Sequence, residues 1–457
     1  MGKYLVLGLG KSGLSTLKAL QELSKDVVGT DKRSIDEIDF GNETKEDIAR
    51  LKESIIKEDK VKEKIHEFDT IVKSPGISYE NEIIEAGLSK KIQIIDEIEL
   101  TYNYLKPYIS CLIAITGTNG KTTTTTLIGE IIKSAGYFCH VVGNIGNPIS
   151  SLISRVKKGD IVVCEVSSFQ LEGIVNFKPD IALLLNIAPD HLDRHKTFEN
   201  YINAKLRIFE NQSEEDIKVI NYDNENCKDI SKKLSGTKLF FSTKESLDDG
   251  ANVIKDKLVM KQKGNSIEVI KKDEIKIPGE HNIENILASI CVAKTLDISP
   301  DTISSTIANF YGVEHRLEKV GEYKGVTFYN DSKATNIEAS FTALEAVKST
   351  GFKEPLVLIL GGMDKGEDFD EFVQNLKQFN AKAIILGETK SRWIESMNKN
   401  NFEEYTSVDT LEEAVKNAFS LGKTVLFSPG CASWDMFSSY EERGRIFKGE
   451  VIKWGRD

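Results

Sequence analysis

Six cysteines are scattered along the chain (Cys111, Cys139, Cys164, Cys227, Cys291, Cys431), and none belongs to a Cys-x-x-Cys pair. That spacing speaks against a zinc site or a disulfide framework and suits a reducing compartment, with several of the thiols acting as small apolar residues inside hydrophobic runs. Long apolar segments are missing too. The longest runs, such as Ile181–Leu185 and Leu356–Leu360, have strand length, and Lys3, Lys11 and Lys18 interrupt any N-terminal leader. The expectation is a cytoplasmic protein with no membrane contact. A basic excess is also lacking: the formal net charge is −11, so the cationic footprint that nucleic-acid binding needs is not there. Internal repeats and low-complexity tails are absent as well.

What is present is a soluble globular composition, 40% hydrophobic and 29% charged over 457 residues, enough for two to four domains. One stretch stands out, Ala114-Ile115-Thr116-Gly117-Thr118-Asn119-Gly120-Lys121-Thr122-Thr123. The apolar run Leu112–Ile115 enters a glycine-containing loop, and Thr124–Ser134 follows with apolar residues at helical spacing. Strand, loop and helix in that order suit a phosphate-binding loop: backbone N–H groups at the helix start face phosphates, Lys121 adds a point charge, and Thr122 and Thr123 offer hydroxyls to Mg²⁺. The usual pattern has a glycine five residues before Gly120, where this chain has Ile115. The loop is a shortened variant, unlike that of an ordinary GTPase or motor ATPase.

Upstream, strand Tyr4–Leu7 runs into Gly8-Leu9-Gly10-Lys11-Ser12-Gly13 and an amphipathic helix, with Asp31 after the next strand. Taken alone this fingerprint suggests an NAD-dependent enzyme, but what it reports is a diphosphate on a helix N-terminus, which a UDP group satisfies equally. Downstream, strand Ile161–Val166 carries Glu165, strand Ile181–Ile187 leads to Asp190 and His191, and Val253–Ile270 reads as a hairpin around Lys263-Gly264-Asn265. A third run of strands and helices starts near Gly312. The fold class is α/β in three domains: a Rossmann-like N-terminal domain (1–108), a central P-loop ATPase-like parallel-sheet domain (109–311) and a C-terminal Rossmann-like domain (312–457). Ligands in such sheets sit beyond the carboxyl ends of the strands, where Gly117, Glu165 and His191 fall. Glu165 suits a metal or base carboxylate, or a cap; His191 suits a ligand or a structural histidine. Lys205, on an amphipathic helix, reads as a residue of the solvated face. Arg316, Asp331, Lys333 and Lys365 add charges from a separate domain, a pattern for a site closed around a nucleotide by domain motion.

Taken in order, Gly117-Thr-Asn-Gly-Lys-Thr-Thr, Glu165-Val-Ser-Ser-Phe-Gln-Leu-Glu, Asp190-His-Leu-Asp-Arg-His, Ala204-Lys205, Glu280-His-Asn-Ile-Glu-Asn285 and His315-Arg316 resemble the Mur ligase family, ATP-dependent amide-forming enzymes of peptidoglycan synthesis. Asp331-Ser-Lys333-Ala-Thr335-Asn336 and the Gly8-Leu-Gly10 domain are most similar to the member that adds D-glutamate to UDP-N-acetylmuramoyl-L-alanine. Folylpolyglutamate synthetases share the shortened loop but lack that N-terminal domain. The Asp-Asn-Pro-Arg of the diaminopimelate- or lysine-adding members is absent.

The resemblance implies roles. Gly10, Lys11, Ser12, Asp31 and Arg33 would hold the UDP group, with Gly76 over the uracil and Asn144, Ser167 and His191 towards the muramoyl-alanine end. Gly117, Thr118, Asn119, Gly120, Lys121, Thr122 and Thr123 would take the ATP phosphates, Asn282 and Asn285 the adenine, and Arg316 and Asp331 would reach the nucleotide. Two Mg²⁺ would sit on Thr122, Thr123, Glu165, His191 and a carbamylated Lys205. Lys333, Thr335, Lys365, Ser433 and Tyr440 would surround D-glutamate; family members commonly carry Phe at the last position. The partners would be small molecules only, acting on a monomer.

Overall fold

Four short strands with mostly buried side chains, β1 (Tyr4–Leu7), β2 (Val27–Thr30), β3 (Thr70–Lys73) and β4 (Gln93–Asp96), pair in parallel in the order β2-β1-β3-β4. A computed structural model describes residues 2–41, 43–144, 147–262, 265–349, 351–352, 354–364 and 366–456. The chain divides into two compact units, residues 1–272 with 284–307, and residues 273–283 with 308–457.

Within the first unit, a second sheet follows: β5 (Cys111–Thr116), β6 (Cys139–Gly143), β7 (Ile161–Glu165), β8 (Ile181–Leu184), β9 (Ile217–Asn221), β10 (Thr237–Ser242), β11 (Gly250–Ile254), β12 (Lys257–Gln262) and β13 (Asn265–Lys271). Their order is β13-β12-β11-β10-β9-β8-β5-β7-β6, parallel from β11 to β6 and antiparallel at the β11–β12 and β12–β13 joins. Neighbouring β8, β5 and β7 thus bring their carboxyl ends together, the arrangement expected for a ligand edge.

Helix Glu97–Leu105 joins the two sheets. Ile98, Tyr102 and Leu105 enter the central core beside Leu112, Val162 and Phe177, whereas Leu100 enters the N-terminal core beside Leu17 and Val72. Positions 98, 102 and 105 share one face at the helical period, so one short helix serves two cores.

The second unit has one sheet: β14 (Glu318–Tyr323), β15 (Val326–Asn330), β16 (Leu356–Leu360), β17 (Ala381–Ile385), β18 (Tyr405–Ser407) and β19 (Thr424–Phe427), ordered β14-β15-β19-β16-β17-β18. Only β14–β15 is antiparallel. Along β16, Leu356, Leu358 and Leu360 pack into one cluster while Val357 and Ile359 pack into another, so both faces are covered.

Some sequence expectations shift. The strand expected over Ile181–Ile187 ends at Leu184, because Asn186 turns aside to bond the loop after β5. The expected hairpin at 253–270 is two antiparallel joins, since β11 already holds Val253 and Ile254; Lys263 and Gly264 lie outside the described residues. So do Ile145 and Gly146, which follow β6 in sequence. Residues 34–67 carry many charges, yet their helices Lys45–Glu53 and Glu58–Glu63 bury Leu51 and Val61, and Ile65 just after them is buried too. Cys164, Cys227, Cys291 and Cys431 are buried, as small core residues should be.

Candidate active site at the carboxyl ends of β5, β7 and β8

The loop between β5 and helix Lys121–Ser134 needs glycine at two points. Gly120 has φ +84, and a Cβ there would stand 2.2 Å from Asn285 Oδ1; Gly117 has φ +157 and lies against Leu185 and Asn186. The loop is fastened to the β8 exit: Thr118 N donates to Asn186 O (3.0 Å), Asn119 N to Asn186 Oδ1 (2.8 Å), and Asn186 Nδ2 returns a bond to Asn119 O (3.1 Å). Thr118 Oγ1 lies 3.0 Å from the Tyr201 hydroxyl. On the helix side, Thr124 Oγ1 donates to Asn285 Oδ1 (3.2 Å).

Two lysines converge on this loop. Lys121 Nζ donates to Gly117 O (2.9 Å) and Thr118 O (2.7 Å), and Lys205 Nζ donates to the same Gly117 O (2.8 Å). Lys205 is 2% exposed, which overturns its reading as a residue of the solvated face: the amphipathic helix Phe198–Leu206 turns it inward over the Tyr201 ring (4.6 Å). Burial, and then the positive charge of Lys121, push its ammonium down from 10.5 to about 7, against the pull of Asp190 and Glu165.

Glu165, at the end of β7, is 2% exposed. Its Oε2 accepts from Thr122 Oγ1 at 2.9 Å and its Oε1 from Asn144 Nδ2 at 3.1 Å. Adjacent oxygens of an octahedral Mg²⁺ shell with bonds of about 2.1 Å stand about 3 Å apart. The Thr122–Glu165 pair has that spacing, so its hard oxygens fit the ion. Among the described residues no group of three or more His, Cys, Asp or Glu side chains could hold a metal by itself, so a metal here needs oxygens from a ligand. His191 has φ +51 and a half-exposed ring, 5.0 Å from the ring of Phe169 and 3.4 Å from Asp190 Oδ2.

The N-terminal fingerprint is a second built loop. Gly8 has φ +86, and a Cβ on Gly13 would meet Gly8 O at 1.8 Å. Gly10 caps helix Lys11–Glu22 with open space around it; Lys11 is exposed and Ser12 half-buried. Asp31 accepts from Leu9 N (2.6 Å) and from the Arg33 guanidinium (2.9 Å to each oxygen). Burial would raise this carboxyl, but Arg33 and the backbone N–H groups of Arg33 and Leu9 outweigh it and hold it at about 2. Gly76 lies in the turn after β3, fixed by Ser74 Oγ donating to Gly8 O (2.6 Å). Ser167 caps the short helix after β7 through Gln170.

Three domain families match in succession: a Mur ligase MurD-like N-terminal domain over residues 2–96, a Mur ligase middle domain over 115–293, and a Mur ligase glutamate ligase domain over 315–431. The chain belongs to the Mur ligase family. Members are ATP-dependent amide-bond ligases. The UDP-N-acetylmuramoylalanine–D-glutamate ligase of Thermoanaerobacter pseudethanolicus is 44% identical over 456 residues, 99% of this chain and 98% of that protein. The ligase of the same name from Natranaerobius thermophilus is 42% identical, with 99% and 98% covered. Among solved structures, UDP-N-acetylmuramate-alanine ligase MurC from Thermotoga maritima shares the fold (TM-score 0.59, 20% identity, 99% of this chain and 100% of that one). MurF from the same organism, in complex with ADP, does so too (0.57, 19%, 99% and 95%).

The remaining expected site residues of this Mur ligase lie in its second unit or at its edge. Asp331, 5% exposed, accepts from Leu317 N (3.0 Å) and Ser428 Oγ (2.7 Å); burial raises its carboxyl to about 7 despite those bonds and despite Arg316 and Lys333. Lys333 N donates to His315 O, Thr335 lies two residues on, and Asn282 Nδ2 donates to Pro278 O (2.6 Å). Ser433 is buried, Tyr440 opens the last helix, and Lys365 lies outside the described residues.

Three residues the sequence reading left without a role hold these loops in shape. Asn186 and Tyr201 brace the phosphate loop. Arg443, 2% exposed, donates to Ser332 Oγ and O and to the carbonyls of Cys431 and Ala432, tying the Lys333 loop to the Ser433 loop. Asn186 was within reach of sequence reasoning as a polar residue ending an apolar run. Tyr201 and Arg443 carry no such signal on their amphipathic helices.

Proposed function

We infer that this Mur ligase joins D-glutamate to the alanyl carboxylate of UDP-N-acetylmuramoyl-L-alanine with ATP hydrolysis to ADP and phosphate, as a cytoplasmic monomer. The observation that carries the reading is the convergence of Lys121, Lys205, Thr122 and Glu165 on one loop beyond β5, in a chain similar over its full length to D-glutamate ligases. The alanyl carboxylate is a poor acyl donor; phosphorylating it gives an acyl phosphate, which the amine of D-glutamate then opens with loss of phosphate. Lys121 exchanges its loop carbonyls for phosphate oxygens and, with the N–H groups of residues 117–123, offsets charge on the transferring group, each such contact worth about 2–4 kcal/mol. Mg²⁺ held at Thr122, Thr123 and Glu165, with a second ion near His191 and Lys205, supplies charge neutralisation and orientation.

With its ammonium held at about 7, about half of Lys205 is neutral near pH 7; the neutral amine is the form that adds CO₂, releasing a proton, and the carbamate turns Lys205 into an anion suited to a metal. Gly10, Lys11, Ser12, Asp31, Arg33 and Gly76 take the UDP end, and Asn144 and Ser167 the muramoyl-alanine end. Asn282 and Asn285 face adenine, and Arg316 and Asp331 reach the nucleotide. Lys333, Thr335, Lys365, Ser433 and Tyr440 surround D-glutamate. The domains run 1–108, 109–311 and 312–457. The test is phosphate release from ATP with UDP-N-acetylmuramoyl-L-alanine and one amino acid at a time. D-glutamate is expected to support release; release with L-lysine or L-alanine and none with D-glutamate would overturn the assignment.

A further inference from the structure

Two residues of the motifs quoted above have no part in that chemistry, Glu172 and Arg194. Arg194 belongs to the four-residue helix Leu192–His195 that follows directly on His191. Its Nη2 donates to Glu172 Oε2 (2.7 Å) and to Ile77 O (2.9 Å). Ile77 ends the turn that holds Gly76, and its side chain packs on Gly8 of the N-terminal glycine loop at 3.0 Å from where a Cβ would stand. The Arg194 guanidinium lies 5.3 Å from the centre of the Phe169 ring, and that same ring packs against His191 at 5.0 Å. Glu172 also faces His195 Nδ1 (3.7 Å) and the buried Lys73 at the end of β3 (4.0 Å). One guanidinium fork therefore touches the turn on the UDP side and the ring that backs His191. A fork with donors fixed in one plane transmits position better than a flexible ammonium does.

We propose that Arg194 is a positioning residue that couples the Ser74–Ile77 turn to His191, so that filling the UDP end of the site sets the backbone that carries His191. This rests on the reading above that the N-terminal loop holds UDP. His191 sits in the left-handed region at φ +51, a conformation that surrounding contacts must hold in place, so a tether three residues away has leverage on it.

The test is binding of UDP alone to the full-length protein, with the imidazole resonances of the six histidines followed by NMR and His191 assigned through His191→Asn. In the unmodified chain UDP shifts the His191 resonance. In Arg194→Ala and Arg194→Lys, UDP still binds within about three-fold, but the His191 response is lost, and kcat for ligation falls about ten-fold while KM for the UDP substrate holds. Glu172→Gln, which keeps the side-chain shape, does the same and serves if an Arg194 variant does not fold. A His191 resonance that ignores UDP in the unmodified chain, or responds equally in the variants, overturns the coupling. UDP failing to bind the unmodified chain at all would instead sink the reading of the N-terminal loop.

Discussion

Substituting Lys73 by Met removes one half of a fully buried ion pair. Lys73 Nζ lies 2.9 and 3.1 Å from the two oxygens of Asp96, and neither side chain has exposed surface. The Tyr79 ring, 5.1 Å from the ammonium, and Glu172 complete its surroundings. Burial raises the Asp96 carboxyl from 3.8 to about 7, with Lys73 pulling the other way. A carboxyl raised in the fold stabilises it fully below pH 3.8 and loses that contribution as pH climbs through 7. At pH 8 Asp96 is ionised against Lys73, and deleting the lysine leaves the buried carboxyl unpaired or makes it take up a proton, at a cost of about 3–5 kcal/mol. At pH 5.5 Asp96 is already protonated, so the same deletion costs about 1 kcal/mol. Urea unfolding of the full chain is followed by far-ultraviolet circular dichroism, because Trp393, Trp434 and Trp454 all lie in the second unit and report on it alone. Lys73→Met/Asp96→Leu recovers most of the loss at pH 8, a coupling above about 2 kcal/mol. Equal losses at both pH values, or additive single changes, would refute the reasoning.

Further outcomes follow from the same geometry. Gly120→Ala forces a left-handed alanine into Asn285 Oδ1; a cost of about 1–2 kcal/mol from the backbone alone and a KM for ATP raised about ten-fold or more are expected, read by thermal melts and initial rates. Lys205→Met abolishes ligation. It also removes an ammonium held at about 7, so the unmodified chain, melted without ligands, gains stability on the variant as pH rises from 7 towards 10.5; parallel melting curves would contradict the burial argument. The Asp31 carboxyl, held at about 2, stabilises the fold above pH 3.8 and loses that contribution as pH falls towards 2. Asp31→Asn is expected to flatten acid unfolding over that window and to raise KM for the UDP substrate, since Leu9 N–H loses its charged acceptor.

The periodic and glycine-rich parts of the molecule were legible. Apolar runs at strand length, glycine loops after β1 and β5, and polar residues at the ends of β7 and β8 placed the sheets and the ligand edge. Lys205 shows where local reading fails: nothing in Asn203-Ala204-Lys205-Leu206 reveals that the helix presents its lysine to a carbonyl 88 residues earlier. Glu97 is similar. It lies at a helix start, where acids are usual, yet it is 1% exposed and accepts from Ser150 N and Oγ, with burial raising its carboxyl. Pairings across long separations in sequence have no period to betray them, and Tyr201 and Arg443 escaped for the same reason.

Helix Glu97–Leu105 lends Ile98, Tyr102 and Leu105 to the central core but Leu100, with a partly buried Tyr104, to the N-terminal one, and the N-terminal family match stops at residue 96. Glu99, on the same helix, accepts the backbone N–H groups of Val175, Asn176 and Phe177. Recombination between relatives therefore has a natural seam. A chimera crossed over between residues 96 and 97 hands the graft a whole core and a whole acceptor, whereas one crossed over after Leu105 makes a foreign helix fill three apolar sockets and cap three amides it was never shaped to meet.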